Sequence, residues 1–258
     1  MPRVSSLSIA PVKGLGLAHT QEVMLEEHGV TENRRFHLVD ERGRFFNLLR
    51  NGSMVRVEPA YDGARDRLRL SFPDGSVADG VVELAEPVTT DFYGRAVTGR
   101  VVSGPWAEAL SGYAGVALRL VKSDRPGAAV DRSRGAVSLL SDASLEELGR
   151  HAGPSAVDAR RFRMLVGVAG TGPHEEEDWI GREVRIGGAT ARLLGPVGRC
   201  AITTQNSETG ERDLDTLRVI KSYRELGPDD GIDFGVYGVV LVPGRIRVGD
   251  PVEPIEGH

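Results

Sequence analysis

Most of the chain reads as strands. Arg67-Leu68-Arg69-Leu70-Ser71-Phe72 alternates polar and apolar residues, the period-two pattern of a half-buried strand, and Pro73-Asp74-Gly75 then turns the chain. Residues 116–121 form a second apolar-rich strand candidate. Val184-Arg185-Ile186 and Ala191-Arg192-Leu193 flank Gly187-Gly188, a hairpin signature. Arg245-Ile246-Arg247-Val248 alternates again and is closed by Gly249-Asp250-Pro251. Helical signals are few. Ser144-Leu145-Glu146-Glu147 fits the S-x-x-E capping box, with Ser141 as the alternative cap and an end near Gly149 or Gly153. Asp213 is placed to cap a second helix, with Leu214, Leu217 and Ile220 on one face. Residues 106–110 predict a third.

Composition supports a mainly β fold with a few helices. The 33 glycines and 14 prolines supply many tight turns, which suits barrel architecture better than a helical bundle. A polar stretch without periodicity at 122–135 marks a boundary or a loop lining a site, so the expected division is 1–122 and 123–258. The net charge of −5, with both signs mixed along the chain, argues against a nucleic-acid partner. No apolar run approaches membrane-spanning length and no signal-peptide pattern opens the chain, which together predict a cytoplasmic protein without a membrane partner. The single cysteine, Cys200, excludes an intrachain disulfide, and it excludes a cysteine-ligated iron–sulfur cluster or a four-cysteine zinc site built by this chain alone. The H-E-x-x-H, G-x-S-x-G and Walker patterns are absent.

Five segments carry candidate chemistry. In Gly195-Pro196-Val197-Gly198-Arg199-Cys200-Ala201-Ile202-Thr203-Thr204 a lone thiol follows a Gly/Pro turn and an arginine. It reads either as an accessible thiolate, nucleophile or soft-metal ligand, or as a buried structural cysteine. Lys13, followed by Gly14-Leu15-Gly16, reads as an anion holder or as a solvated lysine before a turn. Arg34 and Arg35 precede a strand and are expected on opposite faces. Arg161-Phe162-Arg163 is expected to present two arginines on one face and Phe162 on the other. The acidic run His174-Glu175-Glu176-Glu177-Asp178 reads as a solvated turn or a weak metal site, with Trp179 anchoring the loop by packing.

Taken in order, these segments resemble the MOSC-domain proteins, named after the C-terminal domain of molybdenum-cofactor sulfurase. The likeness is to the two-part members with an N-terminal MOSC β-barrel, which include reductases of amidoximes and of N-hydroxylated bases. It covers nearly the whole chain: Pro11-Val12-Lys13, Asn33-Arg34-Arg35-Phe36, Arg161-Phe162-Arg163, Gly198-Arg199-Cys200 and Gly244-Arg245-Ile246-Arg247-Val248-Gly249-Asp250 all stand in family order. The resemblance implies an N-terminal β-barrel-like domain followed by a MOSC β-barrel. It implies a molybdenum cofactor with Cys200 as both metal ligand and catalytic residue. It further implies that Lys13, Arg34 and Arg163 hold the pterin and its phosphate, and that Gly14, Gly198 and Arg199 lie close to the cofactor. The implied activity is a molybdenum-dependent oxidoreductase that reduces N-hydroxylated or N-oxide small molecules, with electrons from a separate ferredoxin-like or flavin reductase protein. The alternatives are sulfur carriage on a Cys200 persulfide and a non-catalytic cofactor-binding module. The chain departs from the family pattern at Asn33, where aspartate is usual, at Met164-Leu165, where Pro-Asn is usual, and at Val197 in Pro196-Val197-Gly198-Arg199-Cys200, where a further cysteine is usual.

Overall fold

A computed structural model describes residues 1–125, 135–153, 156–227 and 231–255. Among the described residues the fold is mainly β, with three α-helices. The larger sheet has eight strands in the order 252–254, 183–186, 189–198, 233–242, 137–141, 166–169, 3–9 and 18–20. Its path is open, yet its two end regions approach each other. An isolated antiparallel bridge joins Arg3 to Pro251, and Val252 donates its N–H to the Pro2 carbonyl at 3.0 Å. The sheet is therefore barrel-like without a full closing ladder. A second sheet orders strands 83–92, 95–103, 118–123, 36–40 and 12–13, with 45–46 paired to 36–40. A three-stranded meander, 58–62, 67–71 and 77–81, completes that half.

Alternation explains the burial. In the strand Arg67–Ser71, Leu68 and Leu70 face inward while Arg67 and Arg69 face solvent. The larger sheet encloses a core including Val4, Leu7, Leu25, Val166, Val184, Leu193 and Val236. A second core gathers Leu15, Phe36, Leu38, Met54, Leu68, Leu120 and the fully buried Trp106. The N-terminal strand belongs to the first body. The chain then crosses at Ala10-Pro11, so that Val12–Lys13 joins the second sheet beside Phe36–His37. The junction is held by Arg34 N–H to the Ala10 carbonyl at 2.7 Å and Phe36 N–H to the Pro11 carbonyl at 3.0 Å. Between the two bodies, Gly52 and Gly210 meet backbone to backbone. A Cβ on Gly52 would lie 2.1 Å from the Gly210 carbonyl oxygen, so neither position has room for a side chain.

The helices refine the sequence reading. Helix α1 runs Trp106–Ala114, longer than the segment expected. Helix α2, Asp142–Ala152, is capped by Ser141, whose hydroxyl accepts from the N–H groups of Ala143 and Ser144; Gly153 ends it. Ser144 is not the cap, because its hydroxyl is engaged with Glu176. Helix α3, Thr216–Tyr223, is capped by Asp215 and not by Asp213, which is drawn into an ion pair with Arg161. The strand expected from 116 begins at Leu118. Of the boundary loop at 122–135, residues 126–134 lie outside the described residues. Among the described residues no helix is long and apolar enough to cross a membrane.

Candidate functional site

A cavity of about 500 Å³ opens between the two bodies, and Lys13, Gly14, Arg34, Arg163, Gly198, Arg199 and Cys200 all line it. These residues come from four separate stretches of sequence. Lys13 arrives from the crossover. Gly14 follows it with φ +93°, a conformation suited to glycine, and turns the backbone along the cavity wall.

Arg34 occupies the left-handed region, φ +55°, so the expectation of simple strand alternation does not apply to it. The kink nonetheless sends Arg34 and Arg35 to different places. Arg34 Nη2 donates to the Arg163 carbonyl at 3.1 Å, whereas Arg35 Nη1 donates to the carbonyls of Ser123 and Arg125 at 2.7 and 2.8 Å. Asn33 is buried, and its Oδ1 accepts from Ala10 N–H at 2.9 Å. An aspartate oxygen could accept that same bond, so the departure from the family residue keeps the crossover pinned.

Arg161-Phe162-Arg163 is not a strand. Residues Ala159–Phe162 form a single 3₁₀ turn capped by Asp158, and Arg163 follows with φ +54°. The two arginines are consequently not equivalent. Arg163 Nη2 donates to the Leu15 carbonyl at 2.8 Å, and burial draws its guanidinium down to about 10. Arg161 pairs with Asp213 at 2.7 Å, and it is only 8% exposed. Its Nε and Nη1 have no hydrogen-bond partner among the described residues, although Arg161 also lines the cavity.

Cys200 lies two residues beyond the end of the long strand Ala189–Gly198 and immediately precedes a 3₁₀ turn, Ala201–Thr204. Its carbonyl accepts from Thr203 N–H at 3.1 Å and Thr203 Oγ1 at 3.0 Å, and Thr216 Oγ1 lies 2.7 Å from Thr203 Oγ1. The backbone is therefore fastened while the side chain is exposed. The reading of Cys200 as a buried structural residue does not hold. Arg199 points the other way. It donates to the Phe162 carbonyl at 3.0 Å and through Nε to the Phe234 carbonyl at 2.8 Å, and its guanidinium lies over the Phe162 ring. Met164 puts its sulfur 3.0 Å from Arg199 Nη2, and Leu165 is buried in the larger core.

One wall of the cavity is aromatic, and no local sequence signal marks it. Phe45 and Phe92 stack with centroids 4.2 Å apart, and Lys13 Nζ lies 5.5 Å from the Phe45 centroid. His37 is wholly buried beneath, edge-on to Phe92, with Nε2 3.0 Å from Thr90 Oγ1. Burial, aided by the charge of Lys13, holds His37 down at about 3, so it is neutral. These residues stand far apart in sequence and meet only through strand pairing.

The acidic run is not a solvated turn. Glu176 is fully buried and accepts from Ser144 Oγ at 3.0 Å, and burial raises its carboxyl above the ordinary value. Glu177 pairs with Arg224 at 2.6 Å, and Glu175 accepts from Gly172 N–H at 2.6 Å. Each of the three glutamates thus has its own partner, while Asp178 is exposed, and no group of three or more His, Cys, Asp or Glu side chains converges on a metal-sized site among the described residues. Trp179 is buried in the larger core.

The family model described as MOSC N-terminal beta barrel domain matches residues 1–111, and the one described as MOSC domain matches residues 111–253. The chain is 28% identical over 282 residues to mitochondrial amidoxime-reducing component 1 of Mus musculus, covering 96% of this chain and 81% of that protein. It is 35% identical over 100 residues to molybdenum cofactor sulfurase of Bos taurus, covering 37% of this chain and 11% of that protein. The crystal structure of the YUAD protein from Bacillus subtilis aligns over 98% of this chain and 94% of that one, with TM-score 0.45 and 16% identity. With the MOSC match spanning more than half of its length, the chain belongs to the MOSC-domain family.

Proposed function

We propose that this protein binds the molybdenum cofactor, with the Cys200 thiolate as metal ligand, and reduces N-hydroxylated or N-oxide small molecules. The observation that carries this reading is the meeting of one exposed thiol with Lys13, Arg34 and Arg163 on a single cavity. The residues fit the group. A thiolate is a soft ligand suited to such a metal centre. The cations suit the phosphate of a pterin, and the buried Arg161 has two N–H groups that want an acceptor. When bound, the cofactor supplies a two-electron redox centre.

The chain's own residues bind and orient. Lys13, Arg34 and Arg163 hold the anionic part. The Thr203 bonds fix the direction from which Cys200 presents its sulfur, and Arg199 holds the backbone behind it. Over a turnover an amidoxime takes up two electrons and two protons, its N–O bond breaks, and the amidine and water leave. With a single cysteine the chain builds no cysteine-ligated cluster of its own, so the electrons come from a separate donor protein.

A second reading rests on the same exposed sulfur: Cys200 carries a persulfide. One preparation separates the two. The protein is purified from a host that makes the cofactor, and metal, pterin and cyanide-labile sulfur are measured for wild type and Cys200→Ala. Stoichiometric molybdenum in wild type, lost in the variant, is the expected result. No molybdenum but labile sulfur on Cys200 overturns it in favour of sulfur carriage. Molybdenum without turnover of any amidoxime under an artificial reductant leaves a non-catalytic module.

A further inference from the structure

An anionic ligand accounts for the cations of the cavity but not for Tyr93. This residue lines the same cavity, yet 77% of its surface is exposed. It is the first residue of the two-residue turn between the paired residues Phe92 and Arg95, and it has φ +56° with Gly94 at φ +84°. Positive φ at both central positions defines a type I′ turn, in which asparagine or glycine sits without steric penalty and a bulky aromatic does not. Burial does not repay that penalty: the ring touches Phe45 edge-on at 6.2 Å but leaves most of its surface in solvent.

The ring is nevertheless held in place. Asn47 Oδ1 accepts from Leu49 N–H at 3.0 Å, which orients the amide so that Nδ2 donates to Tyr93 Oη at 2.9 Å. The phenol accepts in this bond, and its own proton is available to a ligand. A strained, exposed and tethered aromatic at a cavity rim is what a stacking subsite requires.

We propose that Tyr93 is the substrate-stacking residue of this site, its ring a platform for a planar conjugated N-hydroxylated substrate and its hydroxyl a donor to that substrate's heteroatoms. The proposal rests on the reductase reading and names the class of substrate it favours. Lys13, Arg34 and Arg163 are half-buried and tied to the scaffold, which suits a resident group; Tyr93 stands at the outer rim, where a ligand enters.

The test uses Tyr93→Asn, which removes the ring but suits the turn, so the variant should melt no lower than wild type. Benzamidoxime and acetamidoxime are titrated by calorimetry into the cofactor-loaded protein without reductant. Tyr93→Asn is expected to weaken benzamidoxime binding roughly threefold to tenfold, the range of one aromatic pair, and to leave acetamidoxime unchanged. Tyr93→Phe should retain most of the difference between the two ligands. Equal benzamidoxime affinity in wild type and Tyr93→Asn overturns the proposal, and so does a loss of pterin or molybdenum from Tyr93→Asn, which would make the ring part of the cofactor wall. With reductant added, absence of turnover of both amidoximes sinks the reductase reading alone, since the calorimetric contrast is measured without turnover.

Discussion

Cys200 and Arg199 are neighbours in sequence, and both line the cavity, but they are built to different ends. The Cys200 side chain is exposed, while the hydrogen bonds around it run through its own backbone carbonyl and Thr203. The Arg199 guanidinium donates to the carbonyls of Phe162 and Phe234, which bring together the 3₁₀ turn before Arg163 and the strand Asp233–Val242. The other arginines resemble Arg199: Arg34 reaches the Arg163 carbonyl, and Arg163 reaches the Leu15 carbonyl. The cationic side of the cavity is thus part of the scaffold, whereas the thiol is held out from it. Replacing a cation should disturb folding and binding together; replacing the thiol should disturb chemistry alone.

Arg199 gives the hardest test of that contrast. Arg199→Ala leaves two carbonyls without a charged donor and opens a space over the Phe162 ring. Charge-assisted bonds contribute about 1.5–3 kcal/mol each, so a loss of about 3–5 kcal/mol is expected, read as a fall in the urea midpoint. Arg199→Lys should recover only part of it, because a point ammonium does not span two carbonyls as the guanidinium fork does. A midpoint within error of wild type for Arg199→Ala would remove the distinction between the two neighbours.

The same contrast shows what the sequence made legible. The hairpin at Gly187-Gly188, the turn at Pro73-Asp74-Gly75 and the Gly153 stop of α2 depend on residues within a few positions of one another, and each stands where local pattern puts it. The helix caps were harder, because Ser141 competes with Ser144 and Asp215 with Asp213. The choice was made by distant partners, the buried Glu176 in one case and Arg161 in the other. The cavity cations could be named from the ordered motifs. The geometry of Arg163 could not, since its side chain answers to Leu15, 148 residues away. The aromatic wall left no trace in periodicity, because Phe45 and Phe92 meet only through the pairing of strands remote in the chain. Burial of Glu176 inside an acidic run runs against its composition and is explained only by the Ser141 and Ser144 donors.

His37 extends the comparison to pH. It lies under the cationic end, within reach of the Lys13 charge, and its value of about 3 is well below the ordinary 6.5, with burial the larger cause. The unfolded chain therefore takes up a proton between pH 6.5 and 3 that the folded chain refuses. Stability is complete above pH 6.5 and declines as pH falls through that window, by about 1.4 kcal/mol per unit for this one group. Between pH 6.5 and 5 the expected loss is about 2 kcal/mol in urea unfolding. His37→Gln, which can still meet Thr90, should flatten most of the slope. His174 supplies a remainder of the same sign, because burial lowers it too, with Arg224 adding to the effect. An unchanged slope in His37→Gln would show that the cationic end does not rest on a neutral histidine.

The smallest effect on stability is expected where the effect on function is greatest. Cys200→Ser keeps the shape of the side chain, and the bonds to Thr203 run through the backbone carbonyl, which the substitution leaves in place. An exposed side chain that supports no packing should change stability by less than about 0.5 kcal/mol, so the cofactor-free variant should unfold at the wild-type urea midpoint. Preparations carrying the cofactor should then diverge: wild type gains stability from a ligand bound only by the folded state, and Cys200→Ser, lacking the thiolate, gains little. Equal midpoints without cofactor and unequal midpoints with it would set Cys200 apart from Arg199 as the residue that works on the ligand and not on the fold. A cofactor-free Cys200→Ser that is itself destabilised by 2 kcal/mol or more would place the thiol back among the scaffold residues.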